Sequence, residues 1–188
     1  MAREVVKKTE ESEAEARINI YEWIECFAVA LIICVVLFLF FVRIIDVIGT
    51  SMFPTLNNGD KMLVSDLFYT PKDGDIVVFK KDEYDSQKAL VKRVIATEGQ
   101  EVNIDFDTGE IWIDGVLLDE PYIAELTHNK LDFIGPKTVP EGCVFVMGDN
   151  RNMSTDSRKT EIGMVDSRLI LGKVYAVIFP VSEVKFVN

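Results

Sequence analysis

Seventeen consecutive residues, Cys26 to Val42 (CFAVALIICVVLFLFFV), contain no charge, no side-chain amide and no proline. At about 1.5 Å per residue a helix through them covers roughly 25 Å, and Ile24, Ile44 and Ile45 extend it towards the ~30 Å of a hydrocarbon core. Tyr21 and Trp23 precede the run as an interfacial aromatic belt would, and Arg43 can snorkel at the far end. Three origins compete. A buried core helix would keep a polar face, and none survives over roughly five turns. A cleaved signal peptide would open with a short positive segment, whereas residues 1–25 carry four Lys/Arg against seven Asp/Glu. Its nearest small-x-small site, Gly49-Thr50-Ser51, lies beyond Arg43 and Asp46. An uncleaved single-span anchor fits best. Arg3, Lys7, Lys8 and Arg17 before it outnumber Arg43 and Lys61 in the twenty residues after it. That bias predicts a cytoplasmic segment over 1–25, a transmembrane anchor over 26–45 and an extracytoplasmic β-rich domain over 46–188.

The formal charge of −11 is split between −3 before the span and −8 after it, with no basic stripe. Nucleic acid is therefore not an expected partner; the lipid bilayer is. Of three cysteines only Cys143 lies outside the apolar run, and His128 is the one histidine. A disulfide within the domain and a Cys/His zinc-type cluster are both excluded, and no metal is expected.

After the run the pattern changes to short β-branched and aromatic stretches: KMLVSDLF, DIVVFK, ALVKRVIAT, EVNID, EIWIDGVLL, CVFVMG and KVYAVIFPV. Turn signals separate them, with a hairpin expected at Asp107–Gly109 and a second tight turn at Asp114-Gly115. Only AELTHNKL (124–131) could hold a helical turn. The charged stretch before the span reads as helical, with Thr9 or Ser12 as N-cap. The expected fold class is mainly β, a partly closed barrel or sandwich preceded by one transmembrane helix.

Three stretches can carry chemistry. In GTSMFPTL (49–56), Ser51 lies before a proline that pushes Phe53 towards an extended conformation. A serine nucleophile needs a base within hydrogen-bond reach, and a neutral lysine can replace histidine there. In ALVKRVIAT, alternation puts Lys92 on one face with Leu90 and Val94, while Val91, Arg93 and Ile95 face the other way. Such a lysine is either an edge-strand guard against aggregation or a desolvated amine. The third stretch, GDNRNMSTDSR (148–158), is either a polar surface loop held by Asx turns or a functional loop on a rigid strand.

GTSMFPTL, LVKRVIATEGQ and VFVMGDNRNMSTDSR, in this order and after one N-terminal span, closely resemble type I signal peptidases. GDIVVF at 74–79 and GMV at 163–165 agree. The likeness runs to about residue 180, and the short single-span layout is similar to the Gram-positive forms. It implies a membrane-bound serine endopeptidase that removes signal peptides from secreted preproteins, with Ser51 as nucleophile and Lys92 as general base. It further implies that Ser154 orients the Lys92 amine and that Gly148 leaves room for the lysine stem. Arg93 would pair with Asp149, and Asp156 with Arg158, as scaffold. Met52, at the membrane-facing edge of the groove, and Val91 would contact substrate. Many relatives carry a serine where this chain has Gly49, so the oxyanion's second donor would be the Gly49 N–H, a water or Thr50.

Four other readings remain open. One is a self-cleaving serine–lysine relative, which would lack the anchor. A processing peptidase of the same class dedicated to one substrate is another, as is a non-catalytic membrane-tethered module that binds extended peptides. Last comes a Cys143–His128 thiol protease, against which Cys143 reads as a small apolar residue opening a core strand.

Overall fold

The computed structural model describes residues 20–36, 41–81 and 89–187. The chain divides into two units, residues 1–41 and 42–188. In the first, residues 20–36 are helical and their apolar side chains are exposed, Trp23 at 78% and Phe27 at 71% among them. No helix among the described residues is both long and apolar enough to cross a membrane. Residues 1–19, with Thr9 and Ser12, and residues 37–40 of the expected anchor lie outside the described residues.

The far end of the anchor drawn at residue 45 is corrected. Val42–Asp46 is a strand, β1. Val42, Ile44 and Ile45 are β-branched, and pairing from Val42 opposite Ser65 to Asp46 opposite Lys61 gives their backbone a ladder. Arg43 thus lies opposite Val64 in a sheet rather than at a helix end.

The other strands are Lys61–Ser65 (β2), Ile76–Lys80 (β3), Ala89–Ala96 (β4), Glu101–Asp105 (β5), Glu110–Ile113 (β6), Val116–Leu117 (β7), Lys137–Thr138 (β8), Cys143–Met147 (β9), Val165–Asp166 (β10), Ile170–Phe179 (β11) and Lys185–Phe186 (β12). The unit is mainly β. One sheet runs β1-β2-β11-β3-β4-β9-β10 with β12 on β11, and a four-stranded sheet runs β7-β6-β5-β8. Both turn signals hold: β5 and β6 pair as far as Asp105 opposite Glu110, and β6 and β7 as far as Ile113 opposite Val116.

The apolar residues of β3 serve two cores. Ile76 and Val78 pack with Met52, Leu56, Met62 and Val64, whereas Val77 and Phe79 pack with Val94, Val144 and Val146. Burial on both faces is why this strand reads as an unbroken apolar run. On β9, Val144 and Val146 join the second core while Phe145 and Met147 join a third, where Phe133 meets Phe145 edge to face at 5.8 Å.

AELTHNKL forms no helix. It belongs to an irregular stretch between β7 and β8, and its polar groups bond instead to the 151–158 segment, through Asn152 and Arg158. Short 3-10 turns occur elsewhere, at Arg151–Met153, Ser167–Leu169 and Val181–Glu183.

Phe145 is fully buried in the third core. Phe145→Ala is expected to lower the unfolding free energy by about 3–5 kcal/mol in denaturant titration; a loss below about 1 kcal/mol would mean that the site collapses to fill itself.

Candidate active site

Ser51 opens a tight turn. The N–H of Phe53 donates to Thr50 O at 3.1 Å and that of Leu56 to Met52 O at 2.9 Å. Met52 and Leu56, 2% and 0% exposed, plug this turn into the β2–β3–β11 core. Burying two such side chains stabilises by about 1.5–3 kcal/mol each, which anchors the backbone on which Ser51 rides. Met52 is therefore a buried core residue that also lines a cleft. Ser51 itself stays half-buried.

Lys92 reaches this turn from β4. Over Ala89–Arg93 the strand pairs with β3, and over Arg93–Ala96 also with β9. The edge of Ala89–Lys92 away from β3 has no paired strand among the described residues. Alternation holds in part, since Leu90 packs with Val94 and Val91 with the Met52 core. Lys92 is 3% exposed, and its Nζ lies 2.8 Å from Ser51 Oγ and 2.9 Å from Val91 O. Among the described residues no carboxylate forms an ion pair with it. Burial lowers the ammonium from 10.5 to about 8; Asp156 and Asp149 pull it back up, and Arg158 pushes it down.

The 148–158 loop closes the site from β9. Arg93, opposite Met147 on β9, makes a bidentate pair with Asp149 through Nε–Oδ1 and Nη2–Oδ2, both 2.8 Å, and donates to Gly74 O at 2.7 Å. Asp149 also accepts a hydrogen bond from the Thr55 hydroxyl, which ties the serine turn to the same pair. Asn150 completes this seam, its N–H donating to Ser51 O at 3.0 Å and its Nδ2 to Thr50 O at 3.1 Å. Asp156 and Arg158 form a second bidentate pair, and Asp156 Oδ2 accepts from the Gly148 N–H at 3.1 Å. The sequence reading missed Thr55 and Asn150, although both lie inside motifs it singled out.

Two roles expected from resemblance differ in detail. Ser154 Oγ is buried without a hydrogen-bond partner, so the bond expected between it and the Lys92 amine is not made. A Cβ at Gly148 would come within 2.3 Å of Ser154 Oγ and 2.4 Å of Ser51 O. The missing side chain at Gly148 thus leaves room for the Ser154 hydroxyl and the Ser51 carbonyl. Gly49, at φ +96°, donates its N–H to Asn58 Oδ1 at 2.8 Å, so that donor is already engaged. Cys143 and His128 are not joined: His128 Nδ1 lies 3.0 Å from Phe106 O, and Cys143 packs beside Phe145.

A cleft of about 350 Å³ runs from Ser51 between residues 45–49 and Ala89–Lys92, with Ile45, Ile48, Met52 and Val91 among its lining. A hydroxyl, a buried amine at hydrogen-bond distance and an open strand edge beside an apolar cleft together suit nucleophilic attack on an extended peptide. No cluster able to hold a metal ion occurs among the described residues.

The family model described as "Signal peptidase, peptidase S26" matches residues 20–179. A signal peptidase I of Bacillus licheniformis is 36% identical over 188 residues, covering 94% of this chain and 98% of that one. A probable signal peptidase I-1 of Synechocystis sp. is 38% identical over 87% of this chain and 85% of its own. Signal peptidase IB of Staphylococcus aureus is 35% identical over 89% and 94%.

The folded-state value of Lys92 lies below its unfolded value, so between about pH 8 and 10.5 the unfolded chain holds a proton that the folded chain does not. Stability therefore rises with pH through this window, and the cost of the buried ammonium is fully present below it. Lys92→Met is expected to raise the unfolding free energy at pH 7 by on the order of 3 kcal/mol, the gain fading by about pH 11. Denaturant titration at several pH values reads this; a gain that does not change with pH would refute the assignment.

Proposed function

The chain belongs to the signal peptidase family, and we propose that it is a membrane-held serine endopeptidase that removes signal peptides from exported preproteins, with Ser51 as nucleophile and Lys92 as base. The observation that carries this reading is the 2.8 Å separation of Lys92 Nζ from Ser51 Oγ, with the amine 3% exposed. A lysine at its ordinary pKa of about 10.4 is almost wholly protonated at neutral pH and cannot accept a proton. At about 8 a usable fraction is neutral, and its lone pair then accepts the Ser51 hydroxyl proton.

The preprotein enters as an extended strand along the free edge of Ala89–Lys92, its side chains alternating into the cleft over Met52 and Val91. Ser51 Oγ attacks the scissile carbonyl as Lys92 takes the proton. The backbone N–H of Ser51 donates to the oxyanion. With the Gly49 N–H bound to Asn58, the second donor comes from Thr50 or a water. Collapse expels the new amino terminus, which receives the proton from Lys92 and leaves an ester on Ser51. A water activated by the neutral amine then hydrolyses the ester and restores both groups.

The apolar run through residues 37–40 continues the 20–36 helix in sequence, and the exposed side chains of that helix suit lipid contact. A single span with its N-terminus in the cytoplasm holds the β domain on the outer face. There it searches a surface rather than a volume for membrane-delivered substrate.

Incubating the full-length protein in detergent with a preprotein, and locating the cut by mass spectrometry, tests this reading. Ser51→Ala and Lys92→Ala are each expected to abolish cleavage with the fold intact; activity within about tenfold of the unmodified protein in either would defeat the roles given. The rate is expected to rise with pH through a midpoint near 8, as the amine loses its proton. A profile flat from about pH 5 to 9 would exclude Lys92 as the base.

A further inference from the structure

Residues 118–131, between β7 and β8, have no strand or helix of their own, a length of structureless chain that compact domains keep for function. Yet they are tied to the site at many points. Arg151, with its side chain fully buried, donates to Glu120 Oε1 at 2.5 Å and to Thr127 Oγ1 at 3.2 Å. Asn152 accepts from the N–H groups of His128 and Asn129, both at 3.0 Å, and donates to Leu126 O at 3.1 Å. Arg158 donates to Asn129 O at 2.8 Å. Every one of these anchors lies on the segment that also carries Ser154, three to ten residues after Gly148.

Tyr122 makes the remaining connection. Its ring lies 3.9 Å from the Arg93 guanidinium carbon and 5.8 Å from that of Arg151. Its hydroxyl donates to Glu120 Oε1 at 3.3 Å, the oxygen that also pairs with Arg151. Burial pushes its phenol well above the ordinary range, so the ring stays neutral and its face keeps its attraction for cations. In the guanidinium plane Arg93 donates to both Asp149 oxygens and to Gly74 O. What Tyr122 covers is the face of that group. Arg93 is the residue after Lys92, and Asp149 is the residue after Gly148, so anything that keeps their pair dry and in register holds the amine against the serine turn.

We propose that Tyr122 is a positioning residue for the Ser51–Lys92 site, its ring sealing the Arg93–Asp149 pair and locking β4 to the 148–158 loop, with Glu120 and Arg151 as its clamp. Tyr122 is absent from the cleft lining, so its effect falls on turnover rather than on substrate capture. Without the ring, water reaches the pair and then the lysine. The charged groups around Lys92 are Arg93 on its own strand and Asp149, Asp156 and Arg158 on the facing loop, and none of these changes charge when the ring is removed. The amine then becomes easier to protonate, so its titration midpoint moves up.

This inference rests on the reading of Ser51 and Lys92 given above, and the experiment separates the two. Tyr122→Phe keeps the ring, while Tyr122→Leu and Tyr122→Met, either of which serves if the other fails to fold, remove it. In the full-length protein in detergent, kcat on a preprotein is expected to stay within about threefold for Phe and to fall at least about tenfold for Leu or Met, with KM changed less than about threefold. In parallel, the Lys92 side-chain resonance of 13C-lysine-labelled protein is titrated, which needs no turnover. Its midpoint is expected to rise by at least about half a pH unit in Leu or Met and to stay put in Phe. An unmoved midpoint in Leu and Met, or a loss confined to KM, or equal losses in Phe and Leu, would each overturn the positioning role. Failure of the unsubstituted protein to cut any preprotein while the midpoint shifts as described would sink the proposed function and leave the positioning of Lys92 by Tyr122 standing.

Discussion

Among the described residues four cations are buried around the serine turn, and three of them have a carboxylate of their own. Arg93 pairs with Asp149, Arg158 with Asp156 and Arg151 with Glu120, all with almost no solvent exposure. The fourth, Lys92, is as buried as the arginines but bonds only to a hydroxyl and a carbonyl among the described residues. A guanidinium cannot shed its proton and must be matched to an anion. An ammonium can, and with no partner of its own it does so at a lower pH. The Arg93–Asp149 and Arg158–Asp156 pairs are what keep Lys92 unmatched, because the two carboxylates nearest to it are each engaged bidentately by an arginine.

The same pairs do the mechanical work. Asp149 holds Arg93 on β4, the Thr55 hydroxyl on the serine turn and its own loop at one point. Asp156 holds Arg158 and the Gly148 N–H. Breaking either pair would leave a buried charge uncompensated and would also release the loop, so the two carboxylates combine scaffold and electrostatic roles. Ser154 fits the same picture. Its unpartnered hydroxyl sits against Gly148, a buried polar atom without a hydrogen bond in a site rich in them.

Much of this was legible in the chain. Alternating and unbroken apolar stretches located β2 to β7, β9 and β11, and Asp107–Gly109 and Asp114-Gly115 marked two of their turns, because side-chain period and turn chemistry are local properties. Residues 42–45 read as the end of the membrane anchor because they continue the preceding apolar run, and only the ladder with β2 makes Val42–Asp46 a strand. AELTHNKL could hold a helical turn on local propensity, but that option loses to long-range bonds from Arg151, Asn152 and Arg158. Glu120 and Tyr122 carried no signal in the chain at all, since an acid and an aromatic near a proline are ordinary loop residues until a buried arginine lies beside them.

By itself, then, the sequence determined which segments are apolar, where most of the longer strands lie and which short stretches hold reactive side chains, since these follow from covalent order and residue chemistry. Tertiary structure alone decided that Lys92 loses water, that its Nζ meets Ser51 and that the Gly49 N–H is spent on Asn58. Those outcomes depend on groups separated by 41 and 9 positions being brought within 3 Å. Proton affinity is set by surrounding solvent and charge, which no stretch of chain carries until the fold supplies them.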